Sequence, residues 1–130
     1  MTKQEFLKGR HKHHKWGIEF TEDIEKNCIR TIAKVSELLS AFGDKRQVID
    51  GWVPIELNKQ KYGTLDKALF YGNAVILDDS DKRLGMWCQE NIERLIELGL
   101  FLKSVTITSV EGVVYLQSVP PKCGSRIFIS

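Results

Sequence analysis

The amino-acid sequence predicts an α+β domain, and two patterns support that class. Apolar residues recur at three- and four-residue steps over two stretches, about 21–42 and about 81–98, which is typical of helices with one buried face. Short apolar runs of strand type accompany them, at about 47–49, 74–77, 100–107, 112–118 and 126–129. Two long helices with several short strands in mixed order are typical of α+β proteins.

The first helix is the better defined, because signals mark both of its ends. Thr21 is a good N-cap, since its hydroxyl can accept a hydrogen bond from an exposed amide of the first turn. Glu22 and Asp23 follow where the helix dipole favours anions. Gly43 supplies a left-handed C-terminal cap. The predicted buried stripe consists of Ile24, Cys28, Ile32, Val35, Leu39 and Phe42.

The second helix follows a turn that is rich in aspartate. Asp78, Asp79 and Asp81 lack the spacing of a calcium loop, so we expect them to form a turn and to cap the helix. Gly99 is the expected C-terminal cap. Residues 55–72 have no clear period and predict a loop with one helical turn. The predicted inward face consists of Leu84, Trp87, Cys88, Ile92, Leu95 and Leu98.

Composition limits the class of protein. The chain has 130 residues, of which 42% are hydrophobic and 28% charged, and these values exclude a disordered tail, a collagen-like repeat and a coiled-coil rod. No apolar run approaches the roughly 18 residues that cross a bilayer. The first six residues lack the apolar core of a secretory signal. We therefore expect a soluble chain that is made in the cytoplasm and has no membrane partner.

The three cysteines predict neither a disulfide framework nor a zinc knuckle. Cys28, Cys88 and Cys123 are widely spaced and include no C-x-x-C pair, so reduced thiols are expected. Cys28 and Cys88 fall in helical patterns and predict small packing groups. Cys123 follows Lys122 in a turn, but one neighbouring lysine does not establish a reactive thiolate.

The first 20 residues predict an N-terminal arm that is separate from a domain over 21–130. Residues 1–15 hold five basic residues and one acid, a net charge of +4, whereas the remaining residues are slightly acidic. Because the body is not basic, a nucleic-acid partner is not expected. A solvated arm that docks on an acidic protein surface, a metal site and a pH-sensitive patch all remain open. The candidate interaction residues are Lys8, Arg10, His11, Lys12, His13, His14 and Lys15.

Four motifs follow one known family pattern. Gly51-Trp52-Val53-Pro54 is similar to S-G-W-R-P, and Gly72-Asn73-Ala74 to the G-x-A within S-x-H-x-x-G-x-A-x-D. Val113–Gln117 is similar to W-V-H-L-Q, and Pro120–Phe128 to P-P-x-S-G-N-R-x-F. The chain thus resembles the zinc D-alanyl-D-alanine carboxypeptidases and L-alanyl-D-glutamate endopeptidases, cell-wall peptidases that phages often encode. The resemblance implies a small Hedgehog/DD-peptidase-like domain with short, mostly antiparallel strands.

The positions that would hold zinc in this family carry other residues here. By the resemblance, the first zinc histidine falls on Leu69, the zinc aspartate on Ile76 and the second zinc histidine on Tyr115. A hydrolytic zinc needs about three ligands of the His, Asp, Glu or Cys type. Leucine and isoleucine have no lone pair to offer, and a neutral tyrosine is a poor ligand. No histidine occurs after position 14, so no change of alignment supplies one from the body of the domain.

Two further functional positions differ as well. The general-base carboxylate of the family falls on Gly112, with Glu111 one position away, and the arginine that grips the substrate falls on Val53. We therefore expect no cofactor and no catalysis, with Tyr115 as a packing residue.

A catalytically inactive, peptidase-like domain is the function that these departures predict. The resemblance implies a phage virion component in capsid decoration, neck, tail or baseplate, with other virion proteins as partners and an oligomeric assembly as one arrangement. A non-cutting peptidoglycan-binding module is the first alternative. The second is an active cell-wall-lytic zinc peptidase that uses Glu111, Tyr115 and the histidines of the arm.

Overall fold

A computed structural model of the chain describes residues 1–103 and 112–128, and within them it confirms the α+β class. The helices are α1 (Lys3–Leu7), α2 (Glu22–Phe42), α3 (Ile55–Tyr62), α4 (Lys67–Phe70), α5 (Arg83–Glu90) and α6 (Ile92–Leu98). The strands are β1 (Val48–Asp50), β2 (Ala74–Asp78), β3 (Phe101–Lys103), β4 (Val113–Gln117) and β5 (Ile127–Phe128). Among the described residues, the predicted strand positions 47, 100, 112, 118 and 126 fall just outside these strands. The predicted strand positions 104–107 and 129 lie outside the described residues.

The five strands form one sheet in the order β1-β2-β4-β3-β5. All neighbouring pairs are antiparallel except β3 and β5, which are parallel. The central pair is β2 and β4, and it places Ile76 opposite Tyr115. Because side chains alternate across a strand, each of these central strands contributes residues to both faces of the sheet.

The two faces of the sheet carry two separate apolar clusters. On one face, Val75 and Leu77 of β2 join the main core, which includes residues of α1, α2, α5 and α6. On the other face, Ala74 and Ile76 join a smaller cluster that contacts α3 and α4 through Leu57 and Ala68. Because both faces of β2 are covered, its first four residues are all apolar and do not alternate with polar ones.

The long helix α2 confirms the prediction for residues 21–42. The Thr21 hydroxyl accepts a hydrogen bond of 3.2 Å from the amide of Ile24, and Gly43 closes the helix in the left-handed conformation with φ of 92°. Of the predicted stripe, Ile24, Cys28, Val35 and Leu39 are buried in the main core. Burial raises the pKa of the Cys28 and Cys88 thiols to about 12, which agrees with packing roles.

The second predicted helix is two helices, because the chain breaks at Asn91. This residue has φ of −122° and ψ of 46°, and its side-chain amide donates to the carbonyl of Trp87 at 2.8 Å. A side chain that bonds to a carbonyl four residues earlier competes with the helical hydrogen bond. Gly99 closes α6 as predicted.

The aspartate-rich turn caps α5, as predicted. Both carboxylate oxygens of Asp79 accept hydrogen bonds of 2.9 Å, one from the amide of Leu84 and one from that of Gly85. Asp81 accepts from the amide of Arg83 at 3.1 Å. Trp87 packs against the main core, with its ring edge-on to Phe42, so the core role predicted for it holds.

The prediction of a loop over residues 55–72 is wrong in part, since α3 and α4 lie there. Pro54 precedes α3, and Asp66 caps α4 by accepting from the amide of Leu69 at 3.1 Å. The sequence of α3 is polar on most sides and has no apolar stripe, so its periodicity gives no helix signal.

The prediction of an N-terminal arm that is separate from the domain is wrong. Phe6 and Leu7 of α1 are fully buried in the main core, and Trp16 and Phe20 pack against it. Residues 1–20 therefore pack as part of the same domain.

None of the helices within residues 1–103 and 112–128 has both the length and the apolar character needed to cross a membrane.

Candidate functional site

Four of the five positions that the family resemblance singled out lie together. Val53, Leu69, Ile76 and Tyr115 belong to the smaller apolar cluster, and none of them is more than 8% exposed. They come from four parts of the chain: the segment after β1, α4, β2 and β4. Val53 and Tyr115 are 62 positions apart in the sequence and still belong to one cluster. The sequence pattern alone does not require them to meet.

The fifth position, Gly112, lies apart from this cluster. It precedes β4 with φ of +85°, and its carbonyl accepts a hydrogen bond of 2.6 Å from the amide of Asp79. A side chain at this position would meet the Cα of Ser80 at 3.3 Å. Gly112 therefore has a structural reason to be glycine. Its neighbour Glu111 lies outside the described residues.

Tyr115 makes the main polar contact at the edge of the cluster. Its hydroxyl donates to both carboxylate oxygens of Asp66, at 2.9 and 3.0 Å. Burial and the adjacent carboxylate raise the pKa of Tyr115 well above its ordinary value. Tyr115 is therefore a neutral hydrogen-bond donor at neutral pH, which makes it unsuitable as a base or as an anionic metal ligand.

Asp66 is held in place by backbone and side-chain contacts. Its amide donates to the side chain of Asn58 at 2.8 Å, and its carbonyl accepts from the same side chain at 2.9 Å. Asn58 is fully buried. The Asp66 carboxylate is thus fixed between the amide of Leu69 and the hydroxyl of Tyr115.

A cleft of about 800 Å³ opens beside this pair of residues. It lies between the loop that precedes α4 and the segment that precedes β5. Cationic side chains line it from three segments, since Lys67, Lys103 and Lys122 all face it. The ammonium of Lys103 lies 4.7 Å from the centre of the Tyr115 ring. The other lining residues are Tyr62, Thr64, Leu65, Asp66, Ala68, Tyr115, Gln117, Pro121, Cys123 and Phe128.

A smaller hollow of about 170 Å³ adjoins the cleft. The two share Tyr62, Asp66, Lys103 and Tyr115, and the rest of the hollow is lined by apolar side chains, namely Ile49, Ile76 and Val113. Ile76, where the family's zinc aspartate would fall, is therefore part of an apolar wall.

Cys123 is exposed on the rim of the cleft. Hydrogen bonds with the backbone and side chain of Ser125 hold the pKa of its thiol below the ordinary value.

The side chain of Asp50 forms a second polar centre next to the hollow. It is 1% exposed and accepts hydrogen bonds from Arg10 at 2.9 Å, from Lys61 at 3.0 Å and from the hydroxyl of Tyr62. Burial acts to raise its pKa, but these donors outweigh burial and hold the pKa of Asp50 below its ordinary value. Burial and Asp50 together raise the pKa of Tyr62 far above its usual range.

The cations of the predicted arm divide into two groups. Lys8 donates to the carbonyl of Val48 at 2.8 Å, and Arg10 donates to the carbonyl of Trp52 at 3.0 Å as well as to Asp50. These two side chains bind within the fold. Lys12 and Lys15 are exposed.

The three histidines pack against aromatic rings. His13 stacks on Trp16 with ring centres 4.1 Å apart and on His14 at 4.5 Å, while His11 lies against Phe20 at 5.4 Å. Burial lowers the pKa of His11, and Lys12 acts in the same direction. Among the described residues no histidine lines the cleft or the hollow.

The residues at the cluster do not fit a catalytic zinc. Leu69 and Ile76 have no donor atoms, and the Tyr115 hydroxyl is already donating to Asp66. No group of three His, Cys, Asp or Glu side chains in residues 1–103 and 112–128 has an arrangement that could hold a metal ion. What the arrangement can do is bind: it offers an apolar hollow beside a cationic cleft.

No family model, curated protein or solved structure matches this chain.

Three residues of this site were not predicted from the sequence: Asp66, Asn58 and Lys103. Asp66 stands two residues before Ala68 and three before Leu69, a spacing that fits an N-cap. That signal was available but depends on recognising the short helix α4. No sequence signal points to Lys103, because its place at the cleft follows only from the pairing of β3 with β4.

Proposed function

We propose that this chain is a non-catalytic domain with the scaffold of the zinc D-alanyl-D-alanine carboxypeptidases and L-alanyl-D-glutamate endopeptidases, acting as a structural, protein-binding component of a phage virion. The observation that supports it best is the shared cluster of Val53, Leu69, Ile76 and Tyr115. In an active relative these positions would hold the substrate-gripping arginine and the zinc ligands. Such residues must converge for catalysis, and here the same positions converge with apolar or neutral side chains.

A peptidase scaffold that lacks its metal ligands favours binding as the function. A fold by itself does not specify an activity, so the function is inferred from the residues of the site. Filling the metal position with buried leucine and isoleucine stabilises the domain and removes the Lewis acid on which hydrolysis depends. The virion setting comes from the family resemblance, since phages often encode these peptidases.

Restoring the three ligands tests the proposed scaffold. We expect the triple variant Leu69→His, Ile76→Asp and Tyr115→His to retain about one zinc ion per chain after dialysis, because three ligands in one cluster suffice for a catalytic-type site. Metal content is measured by atomic emission. The matched control places the same residue types at exposed positions, as Ile18→His, Ile29→Asp and Tyr71→His, and should retain none.

A buried aspartate can prevent folding, so a second variant accompanies the triple one. The double variant Leu69→His and Tyr115→His should show a zinc-dependent rise in melting temperature, since a ligand that binds only the folded state stabilises it. The proposed scaffold is wrong if both variants fold, the triple variant retains no more zinc than the control and zinc does not raise the melting temperature of the double variant.

Purified particles test the virion assignment. We expect the chain to co-purify with intact phage at a fixed ratio to the capsid protein, measured by mass spectrometry on density-gradient fractions. Absence of the chain from particles that are otherwise complete would contradict this assignment.

The cationic cleft supports a second candidate, a non-cutting peptidoglycan reader. Peptidoglycan stem peptides carry carboxylates, which Lys67, Lys103 and Lys122 could attract. This function predicts that the chain sediments with purified sacculi without releasing peptides. A chain that stays in the supernatant would exclude it.

A further inference from the structure

The hollow has the size and lining of a pocket for one apolar side chain. Its volume is about 170 Å³, and Ile49, Ile76 and Val113 form its apolar walls together with Tyr115. An apolar cavity of about 150 Å³ admits a benzene-sized group. Both phenol hydroxyls at its border are already bonded to carboxylates, Tyr62 to Asp50 and Tyr115 to Asp66, so neither demands a polar ligand.

The adjoining cleft has an excess of positive charge. Lys67, Lys103 and Lys122 line it, and Asp66 is the one carboxylate among its described lining residues. That carboxylate accepts from the Tyr115 hydroxyl and from the amide of Leu69, so its oxygens already have donors. A ligand that lies along the cleft therefore meets ammonium groups that favour acidic side chains.

An apolar pocket next to a charged cleft suits a protein interface. A buried anchor side chain supplies most of the affinity, and charges around it supply orientation and rate. The cleft is several times larger than the hollow, about 800 Å³ against about 170 Å³, which is room for a peptide segment on both sides of the anchor.

We propose that the cleft binds an acidic segment of a partner protein, with one large apolar side chain of that segment in the hollow. This inference rests on the proposed function as a protein-binding module and names the chemistry of the partner. The occupant is a peptide of negative charge with a leucine-sized anchor.

The test uses the full chain and three synthetic peptides. The probe is acetyl-Glu-Glu-Leu-Glu-Glu-amide, and the controls replace its leucine by alanine or its glutamates by lysines. Binding is measured by titration of ¹⁵N–¹H spectra at low salt, which also locates the site. We expect shifts at Lys103, Tyr115 and Val113, about tenfold weaker binding of the alanine peptide and no binding of the lysine peptide.

Variants of the chain separate the two parts of the site. Filling the hollow with Ile49→Trp should weaken the probe about tenfold, and Ile18→Trp, at an exposed position away from the cleft, should leave it unchanged. Removing two cleft charges with Lys103→Gln and Lys122→Gln should weaken binding about fivefold, whereas Lys12→Gln and Lys15→Gln should not.

Equal binding of the leucine and alanine peptides would overturn the proposal, and so would a lack of binding by any peptide. If soluble muropeptides shift the cleft resonances and the acidic peptide does not, the cleft belongs to a peptidoglycan reader instead. A chain that is present in virions but fails these titrations contradicts only the assignment of the cleft. A chain that binds the probe but is absent from virions contradicts only the virion assignment.

Discussion

At the scale of single residues, Asp50 connects three segments of the chain. It lies at the end of β1 and binds Arg10 from the N-terminal segment as well as Lys61 and Tyr62 from α3. A buried carboxylate is costly unless its charge and lone pairs are matched. Here three donors match it, so these contacts fix residue 10 and α3 against the edge of the sheet.

Asp50→Asn should lower the free energy of unfolding by about 3 kcal/mol at pH 7, because it leaves a largely buried arginine without its counter-charge. Since the pKa of Asp50 is lower in the folded chain than the value of about 3.9 expected when it is unfolded, its contribution is present above that value. The contribution is lost as the pH falls through the folded pKa. The difference in the free energy of unfolding between wild type and variant should therefore decrease below about pH 4.

Urea unfolding from pH 7 to pH 3 measures this difference. Glu37→Gln removes one exposed carboxylate and is the control, with an expected change within about 0.5 kcal/mol. A difference of constant size over the whole range would mean that the pKa of Asp50 is the same in the folded and the unfolded chain.

At the scale of elements, two of the short helices have an aspartate that binds the amides of their first turn. Asp79 holds the first turn of α5, and Asp66 holds that of α4. Both carboxylates have a second contact: Asp79 lies 3.6 Å from Arg46, and Asp66 accepts from Tyr115. A cap that also pairs with a distant residue links the start of a helix to the rest of the fold.

Asp79→Ala should destabilise the domain by about 2 kcal/mol, because it removes the acceptor of two helix amides and leaves Arg46 with less negative charge. Asp78→Ala is the matched control. Asp78 accepts only from the Ser80 hydroxyl among the described side-chain contacts, so its loss should cost less than about 0.5 kcal/mol. Thermal unfolding followed by circular dichroism measures both. Equal losses would show that the cap does not hold α5.

At the scale of the whole molecule, the sheet separates a large core from the small cluster that carries the candidate site. The large core contains Phe6 and Leu7, so the N-terminal segment is part of what stabilises the domain. The small cluster lies between the sheet and the α3–α4 region. A binding surface on that side can therefore vary without disturbing the main core.

Phe6→Ala should cost about 3–5 kcal/mol, the usual loss for a fully buried phenylalanine. The ring of Phe6 packs directly on Gly51, since a Cβ added to Gly51 would lie only 2.6 Å from the Cγ of Phe6. Removing the ring therefore opens a cavity beside β1. Ile18→Ala, at a position that is 87% exposed, should change stability by less than about 0.5 kcal/mol. Denaturant midpoints compare the two. A mild effect of Phe6→Ala would restore the view of residues 1–20 as a detachable arm.

The parts of the fold that the sequence predicted are those with local signals. Thr21, Gly43 and Gly99 mark helix ends by chemistry that acts within one turn. The break at Asn91 and the helix α3 were missed because the period of apolar residues was misleading at both places. Asn91 lies within a continuous apolar stripe, which predicts one unbroken helix. α3 has no apolar stripe, so nothing in its period predicts a helix.

The candidate site was predicted only as far as a resemblance could name positions. Val53, Leu69, Ile76 and Tyr115 were named from motifs, while Asp66 and Lys103 reach the site through contacts with residues far away in the chain. The sequence by itself determined that no imidazole from residues 15–130 can hold a metal, since none exists there. Only the tertiary structure decided that the named positions meet and that three lysines line a cleft next to them, because strand pairing and burial depend on the whole chain.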